Sequence, residues 1–206
     1  MLVGGTAAAT HAHHRVSFDD DHDLSDLRSR FDAILDHLEA QEGWTTARVN
    51  RPVLILGSLD GVETGIRQLI RRRPLEVEEH ASPHGPIRIP TLDEMLRVKA
   101  WLALTRNATR DYLDVVALAD RLGVGAAAAV LAGLDAYYAD QVGADGQRVA
   151  TQVARQLAEP RPYDRSDVDL GTYRALEPRW QRWEAVERAC LALSGGMLTR
   201  TAEGGT

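Results

Sequence analysis

Between Asp26 and Gln41, apolar residues recur every three or four positions, at Leu27, Phe31, Ile34, Leu35 and Leu38. That spacing predicts one amphipathic helix, which Gly43 ends. Beyond it the period shortens. Trp44 to Val49 reads as a strand, Val53-Leu54-Ile55-Leu56 is a short apolar run, and Asp60-Gly61 marks a tight hairpin turn. The return strand is expected at about Val62 to Leu69, and a further strand at Leu75 to Glu79. Pro83, Gly85, Pro86 and Pro90 mark loops around a short extended piece, Ile87 to Ile89. A glycine-rich start precedes a small-residue helix from about Thr6 to His14.

At Thr91 the pattern changes. Thr91-Leu92-Asp93-Glu94 is a capping box, so a helix should run from there to about Leu104. Asp111 to Leu122 follows, stopped by Gly123. Further helical sequence covers Gly125 to Gln141, Gly146 to Ala158 and Glu177 to Leu193. The Gly- and Thr-rich tail from Ser194 is expected to fray. The expected architecture is therefore α+β: an α+β lobe over 1–90 and a helical lobe over 91–206. No internal repeat is visible.

Composition bounds this picture. The chain has 206 residues, 44% hydrophobic and 26% charged, enough to bury a sizeable core. That excludes a disordered, collagen-like or coiled-coil chain. No run of 18 apolar residues occurs, so no transmembrane helix is expected, and the first residues carry no secretory pattern. A lone cysteine, Cys190, makes a cytoplasmic location the default expectation. The net charge of −6 argues against a surface that binds nucleic acid all round, while leaving room for a local basic cleft. Of the 24 basic residues 23 are arginine; Lys99 is the one lysine. A compact ammonium on a flexible stem offers what arginine does not.

Two segments could carry chemistry. Gly4-Gly5-Thr6 before a helix leaves backbone N–H groups free to face a phosphate. If Phe18 to Asp21 is a strand, Asp19 and Asp21 share a face, roughly 6 to 7 Å apart along the chain. Two carboxylates so placed repel unless a cation sits between them, and hard oxygen ligands suit Mg²⁺. A solvated acidic loop is the plainer reading. An EF-hand fails, because Leu24 and Arg30 stand where Gly and Glu are required. His11, His13, His14 and His22 match no closed zinc site. In the second segment, Asp111 and Asp114 lie three apart on one helix face. Lys99 and Asp114 are read either as a structural ion pair across a helix hairpin or as a lysine aimed into a cleft. The Arg67, Arg71, Arg72 and Arg73 cluster reads equally as an RNA phosphate contact and as a solvated hairpin end.

The two segments together, Gly4-Gly5-Thr6-Ala7…Arg15-x-Ser17-x-Asp19-x-Asp21 and Leu92-x-Glu94-Met95-x-x-x-Lys99…Arg110-Asp111-Tyr112-x-Asp114-Val115, resemble the AbiEii-type nucleotidyltransferases. These are toxins of type IV toxin–antitoxin systems and include the MenT-type tRNA nucleotidyltransferases. The resemblance covers about residues 1 to 122. It implies a DNA polymerase β-like nucleotidyltransferase fold with a C-terminal helical lobe, in a cytoplasmic enzyme. That enzyme transfers a nucleotide from an NTP to an RNA 3′ end, with the tRNA acceptor end and a cognate antitoxin as partners and no membrane. Alternatives within this reading are transfer to a protein or small-molecule hydroxyl, or an inactive binding protein of the same fold.

Carried over, Asp19 and Asp21 would hold Mg²⁺ or Mn²⁺, with Glu63 as a third carboxylate and Glu76 and Glu78 as alternatives. Gly4, Gly5 and Thr6 would form the phosphate turn, with Arg15, Ser17 and Asp111 as supporting NTP-binding groups. Lys99 would neutralise triphosphate charge, and Asp114 would orient Lys99 or the acceptor. Two features depart from the family pattern. Only Met1-Leu2-Val3 precede Gly4, where the family carries a helix and an apolar strand. Asp20 replaces the usual apolar residue between the aspartates, and is expected to face away from the cation.

Overall fold

The computed structural model describes residues 1–82, 85–142 and 146–203, with side chains described as far as residue 200. Pro83, expected as a loop marker, and the last three residues of the tail lie outside them. The chain divides into two compact units. Unit 1 comprises Met1–Ala7 and Ser17–Thr91; unit 2 comprises Ala8–Val16 and Leu92–Thr206. The helical unit thus takes residues 8–16, which the sequence reading assigns to the first lobe.

Unit 1 is built on a mixed five-stranded sheet, ordered β1-β2-β5-β4-β3. The strands are β1 Leu2–Val3, β2 Asp20–Leu24, β3 Trp44–Asn50, β4 Leu54–Leu59 and β5 Val62–Gln68. Only the β2–β5 pair is parallel; the other three pairs are antiparallel. The helix α1 Gly4–Ala12 begins in this unit and ends in the other. The β4–β5 hairpin turns at Asp60 and Gly61, with φ of 50° and 83°. Two successive positive φ values match the right-handed strand twist, and Asp-Gly tolerates them.

One sheet face is apolar. The helix α2 Leu27–Glu39 lays Leu27, Phe31 and Leu35 against Ile55 and Ile66, with Leu24, Ile34, Leu38, Trp44 and Val49 packed around them. A second, two-stranded sheet pairs β6 Val77–His80 with β7 Ile87–Pro90.

Unit 2 contains α3 Leu92–Thr105, α4 Thr109–Leu122, α5 Val124–Ala132, α6 Leu134–Tyr137, α7 Val149–Ala158 and α8 Trp183–Glu203. Its core joins Met95, Leu96, Leu113, Leu118, Leu131, Leu157, Val186 and Leu193, all buried. The Trp101 and Tyr138 rings stack at 4.6 Å, and Tyr112 meets Trp183 edge-on at 5.9 Å. The stretch expected as one helix from Gly125 to Gln141 is broken at Gly133 into α5, α6 and a 3₁₀ turn at Ala139–Gln141.

The last helix also differs from expectation. It starts at Trp183 rather than Glu177, and it continues through the tail to Glu203. Tertiary contacts explain the extension. Buried Ser194 donates its hydroxyl to Ala154 O at 2.8 Å, and Met197 is buried. A Cβ on Gly196 would lie 2.8 Å from Ala128 Cβ, so α8 passes α5 at a distance only glycine allows.

Neighbouring glycines of α8 should therefore respond oppositely to alanine. Gly195 has no atom within 4 Å of an added Cβ. Gly195→Ala should stabilise by about 0.5–1 kcal/mol through helix propensity alone. Gly196→Ala should destabilise by about 1–3 kcal/mol through overpacking. Thermal melts of both variants check this; equal shifts would remove the close α5–α8 approach from the account.

Candidate functional site

Two charged clusters are organised, one in each unit. In unit 1, strand alternation sets the arrangement. The parallel register places Asp21 opposite Gly65 and Asp23 opposite Arg67, whereas His22 lies opposite Ile66 on the α2 side. The two aspartates therefore face away from the apolar core. Asp21 is accommodated by glycines. A Cβ at Gly65 would stand 2.2 Å from Asp21 Oδ1, and one at Gly4 would stand 2.8 Å from Oδ2. Gly4 also has φ +73°, a conformation that favours glycine. The expected phosphate turn thus lies against the protein's own carboxylate. The positive end of α1 favours that negative charge.

Arg67 Nη2 donates to Asp21 Oδ1 at 3.4 Å. Burial pushes the Asp23 carboxyl up to about 6; the Arg67 charge opposes the shift and the Asp21 charge adds to it. The pair on one strand face is accordingly Asp21 and Asp23. Asp19 precedes β2, and its carbonyl accepts the Thr6 hydroxyl at 2.6 Å. The period-two run 19, 21, 23 was the sequence signal for Asp23. Asp20 falls on the opposite strand face from Asp21, as alternation requires.

These residues do not fit a three-carboxylate cation site. Glu63 lies exposed on β5, on the strand face of Gly65 and Arg67. Among the described residues Asp19, Asp21 and Glu63 do not bring ligand oxygens within 4.8 Å of one another as a trio. Glu76 and Glu78 sit elsewhere in the unit, before and within β6.

In unit 2, Asp114 is the centre. Lys99 Nζ on α3 lies 2.7 Å from Asp114 Oδ2, so the ion pair across the α3–α4 hairpin is formed. Arg15 donates Nε to Oδ1 at 2.9 Å and Nη2 to Oδ2 at 3.1 Å. His14 Nε2 lies 2.8 Å from Oδ1 and donates, since an ionised carboxylate only accepts. Lys99 is 2% exposed and Asp114 is fully buried. Burial alone would raise the Asp114 carboxyl. The Lys99 and Arg15 charges and the bonds from His14 and Arg15 overcome this, holding it well below the usual carboxylate range.

Main-chain bonds pin the same segment. Glu177 N donates to His14 O at 2.8 Å and Val16 N to Arg174 O at 2.9 Å. Sequence reasoning placed Arg15 beside a nucleotide; the structure places it on Asp114. Asp111, expected at the NTP, is buried in a two-pronged bond with Arg106, whose Nε donates to Oδ2 at 2.8 Å. Gly5 opens α1, and Ser17 follows the His14–Val16 segment in the chain.

Known proteins give a different direction from the motif. No protein-family model matches the chain. It is 41% identical over 130 residues to the heme uptake protein MmpL11 of Mycobacterium tuberculosis, covering 62% of this chain and 13% of that protein. It is 38% identical over 129 residues to the mycolic acid-containing lipids exporter MmpL11 of Mycolicibacterium smegmatis, covering 62% and 13%. The probable transport protein MmpL11 of Mycobacterium leprae is 30% identical over 184 residues, covering 86% and 16%. The chain spans about an eighth to a sixth of the length of these relatives.

These relatives overturn the resemblance to AbiEii-type toxins. Proteins similar over more than half of the chain are transport proteins, not nucleotidyltransferases. The expected NTP-dependent enzyme falls with it, as do the tRNA and antitoxin partners and the exclusion of a membrane. So do the alternatives of a protein- or small-molecule-modifying enzyme and an inactive binder of that fold. The physical source of the error is visible. Gly4 makes room for Asp21, and Lys99 is already committed to Asp114, so both motif halves have structural partners.

Two acid–base predictions follow from the clusters. The depressed Asp114 carboxyl supplies stability that is complete above its unfolded value near 4 and is lost as pH falls below that. Asp114→Asn leaves Lys99 and Arg15 buried without their carboxylate and should cost about 3–5 kcal/mol. Lys99→Met should cost less, because Arg15 and His14 still serve Asp114. Denaturant titrations at neutral pH check that order, and the reverse order would refute the central role of Asp114.

Asp23 has the opposite sign. Its folded value near 6 lies above the unfolded one, so its ionisation removes stability as pH rises from about 4 to 6, by about 3 kcal/mol at most. Asp23→Asn should be stabilising at pH 8 relative to wild type. That advantage should vanish below pH 4. A difference independent of pH would contradict the burial of Asp23.

Proposed function

We propose that this chain is an extramembranous module that acts in membrane transport, joined to or working beside a membrane-spanning transport protein on the cytoplasmic side. The observation that carries the reading is the 41% identity over 130 residues to a protein named for heme uptake. The M. leprae similarity, which extends over 86% of the chain, supports it further. The fold is compatible with such a placement. No single described helix is long and apolar enough to cross a membrane. Together α4 and α5 reach that length, but across a 117° bend. Moreover, α4 keeps Asp111 and Asp114 buried in ion pairs, which suits a packed core helix. Cys190, buried and with its thiol pushed up to about 12 by burial, is an inert core residue.

The module's part is taken to be structural support of transport. Its buried carboxylates Asp114 and Asp111 are used in ion pairs within unit 2. A graft tests this. The matching segment of the M. smegmatis exporter is deleted, and this chain is inserted in its place. Deletion should lower export of mycolic acid-containing lipids, and the graft should restore most of it. A graft carrying Asp114→Asn should not restore it. Export unaffected by the deletion would overturn the reading, as would a graft that is produced and membrane-bound yet inactive.

A further inference from the structure

The arginine run at 71–73 is used neither by the sheet core nor by the Asp114 cluster. Its three members do different things. Arg71 is 3% exposed and turns inward. Its Nε donates to Arg73 O at 3.0 Å and its Nη2 to Pro74 O at 3.1 Å. A buried guanidinium therefore holds the carbonyls of its own loop. The loop is fastened at both ends as well. Leu69 N donates to Leu24 O at 2.8 Å, and Leu75 is buried. Held in this way, the loop presents Ile70, which is 57% exposed, next to exposed Arg72 and Arg73. Arg73 also reaches Glu76 Oε1 at 3.4 Å, which bounds the basic stretch.

We infer that the 69–74 loop is a contact for an anionic phospholipid surface, with Ile70 entering the interface and Arg72 and Arg73 meeting headgroup phosphates. The inference rests on the transport reading above and adds the surface through which the module meets the bilayer. A fixed loop that exposes an isoleucine close to basic groups combines the two terms of interfacial binding, apolar burial and attraction to anionic headgroups. Single-stranded RNA is recognised instead by aromatic platforms on which bases stack, and isoleucine offers none. The protein carries a net charge of −6, so an anionic surface repels most of it and attracts it at this loop. That asymmetry orients the module. It also makes the contact weak alone and strongly salt-dependent.

The test is sedimentation of the full chain with vesicles of mixed phosphatidylglycerol and phosphatidylcholine, or of phosphatidylcholine alone. Binding is expected to the mixed vesicles at low salt, with little to neutral vesicles, and to disappear at high salt. Each of Arg72→Gln and Arg73→Gln should weaken it about fivefold. Ile70→Asp should abolish it, and Arg161→Gln, on an exposed pair elsewhere, should leave it unchanged. Circular dichroism identifies any variant that fails to fold; the two arginine variants, at exposed positions, then carry the test.

Equal binding to neutral vesicles would overturn the inference, as would loop variants that bind like wild type. So would RNA binding that is lost in these variants when vesicle binding is absent. Transport by the graft separates the two proposals. A graft that restores export while the chain ignores anionic vesicles removes only the loop's role. Vesicle binding without restored export removes the transport reading instead.

Discussion

One buried carboxylate organises the helical unit. Asp114 accepts from Lys99, Arg15 and His14, and these come from α3 and from a segment near the N-terminus. Removing a carboxylate from water costs several kcal/mol, and only close partners with good geometry offset it. The partners here over-compensate: two full positive charges face one negative. The carboxylate therefore stays ionised at any ordinary pH. The chain must deliver residues 14 and 15 into unit 2 to achieve this. That requirement accounts for the exchange of residues 8–16 into the helical unit, reinforced by the main-chain bonds at His14 and Val16.

In the strand cluster of unit 1 burial outweighs the neighbouring charges. Arg67 acts on both Asp21 and Asp23, and the chain's amino group adds a weaker positive influence near Asp23. Asp21 lies close enough for a hydrogen bond with Arg67, and the glycines at 4 and 65 let it settle against the backbone. Asp23 is desolvated by burial and lies near a like charge, and its carboxyl is pushed up. The same residue type thus shifts in contrary directions in the two units: burial wins at Asp23, whereas close charges and hydrogen bonds outweigh it at Asp114.

The periodic parts of the fold were legible from residues alone. The Leu27, Phe31, Leu35 stripe, the Asp60-Gly61 turn and the stop at Gly123 each act through local geometry, and each element is where that geometry puts it. Elements governed by distant contacts were not legible. Ser194, Gly195 and Gly196 read as a frayed tail because local propensity disfavours glycine. Ala154 and Ala128, forty or more residues away, hold them in a helix. In the candidate site, the Lys99–Asp114 pair was foreseeable from helix spacing. Arg15 and His14 joining it was not, since nothing local announces a contact spanning a hundred residues.

The functional misreading has the same root. A motif of a few glycines, aspartates and a lysine specifies side-chain types at intervals, and those types are also what this chain needs to seat Asp21 and neutralise Asp114. An identity of 41% over 130 residues rests on far more positions than the motif does. On the transport reading proposed above, and with no single described helix long and apolar enough to cross a bilayer, the 69–74 loop is the surface offered to a membrane. On such a surface, rigidity matters as much as composition. A loop that Arg71 fastens from within presents Ile70 and its basic neighbours without a large ordering cost on contact, whereas an unfastened loop of the same sequence would lose part of any binding to conformational entropy.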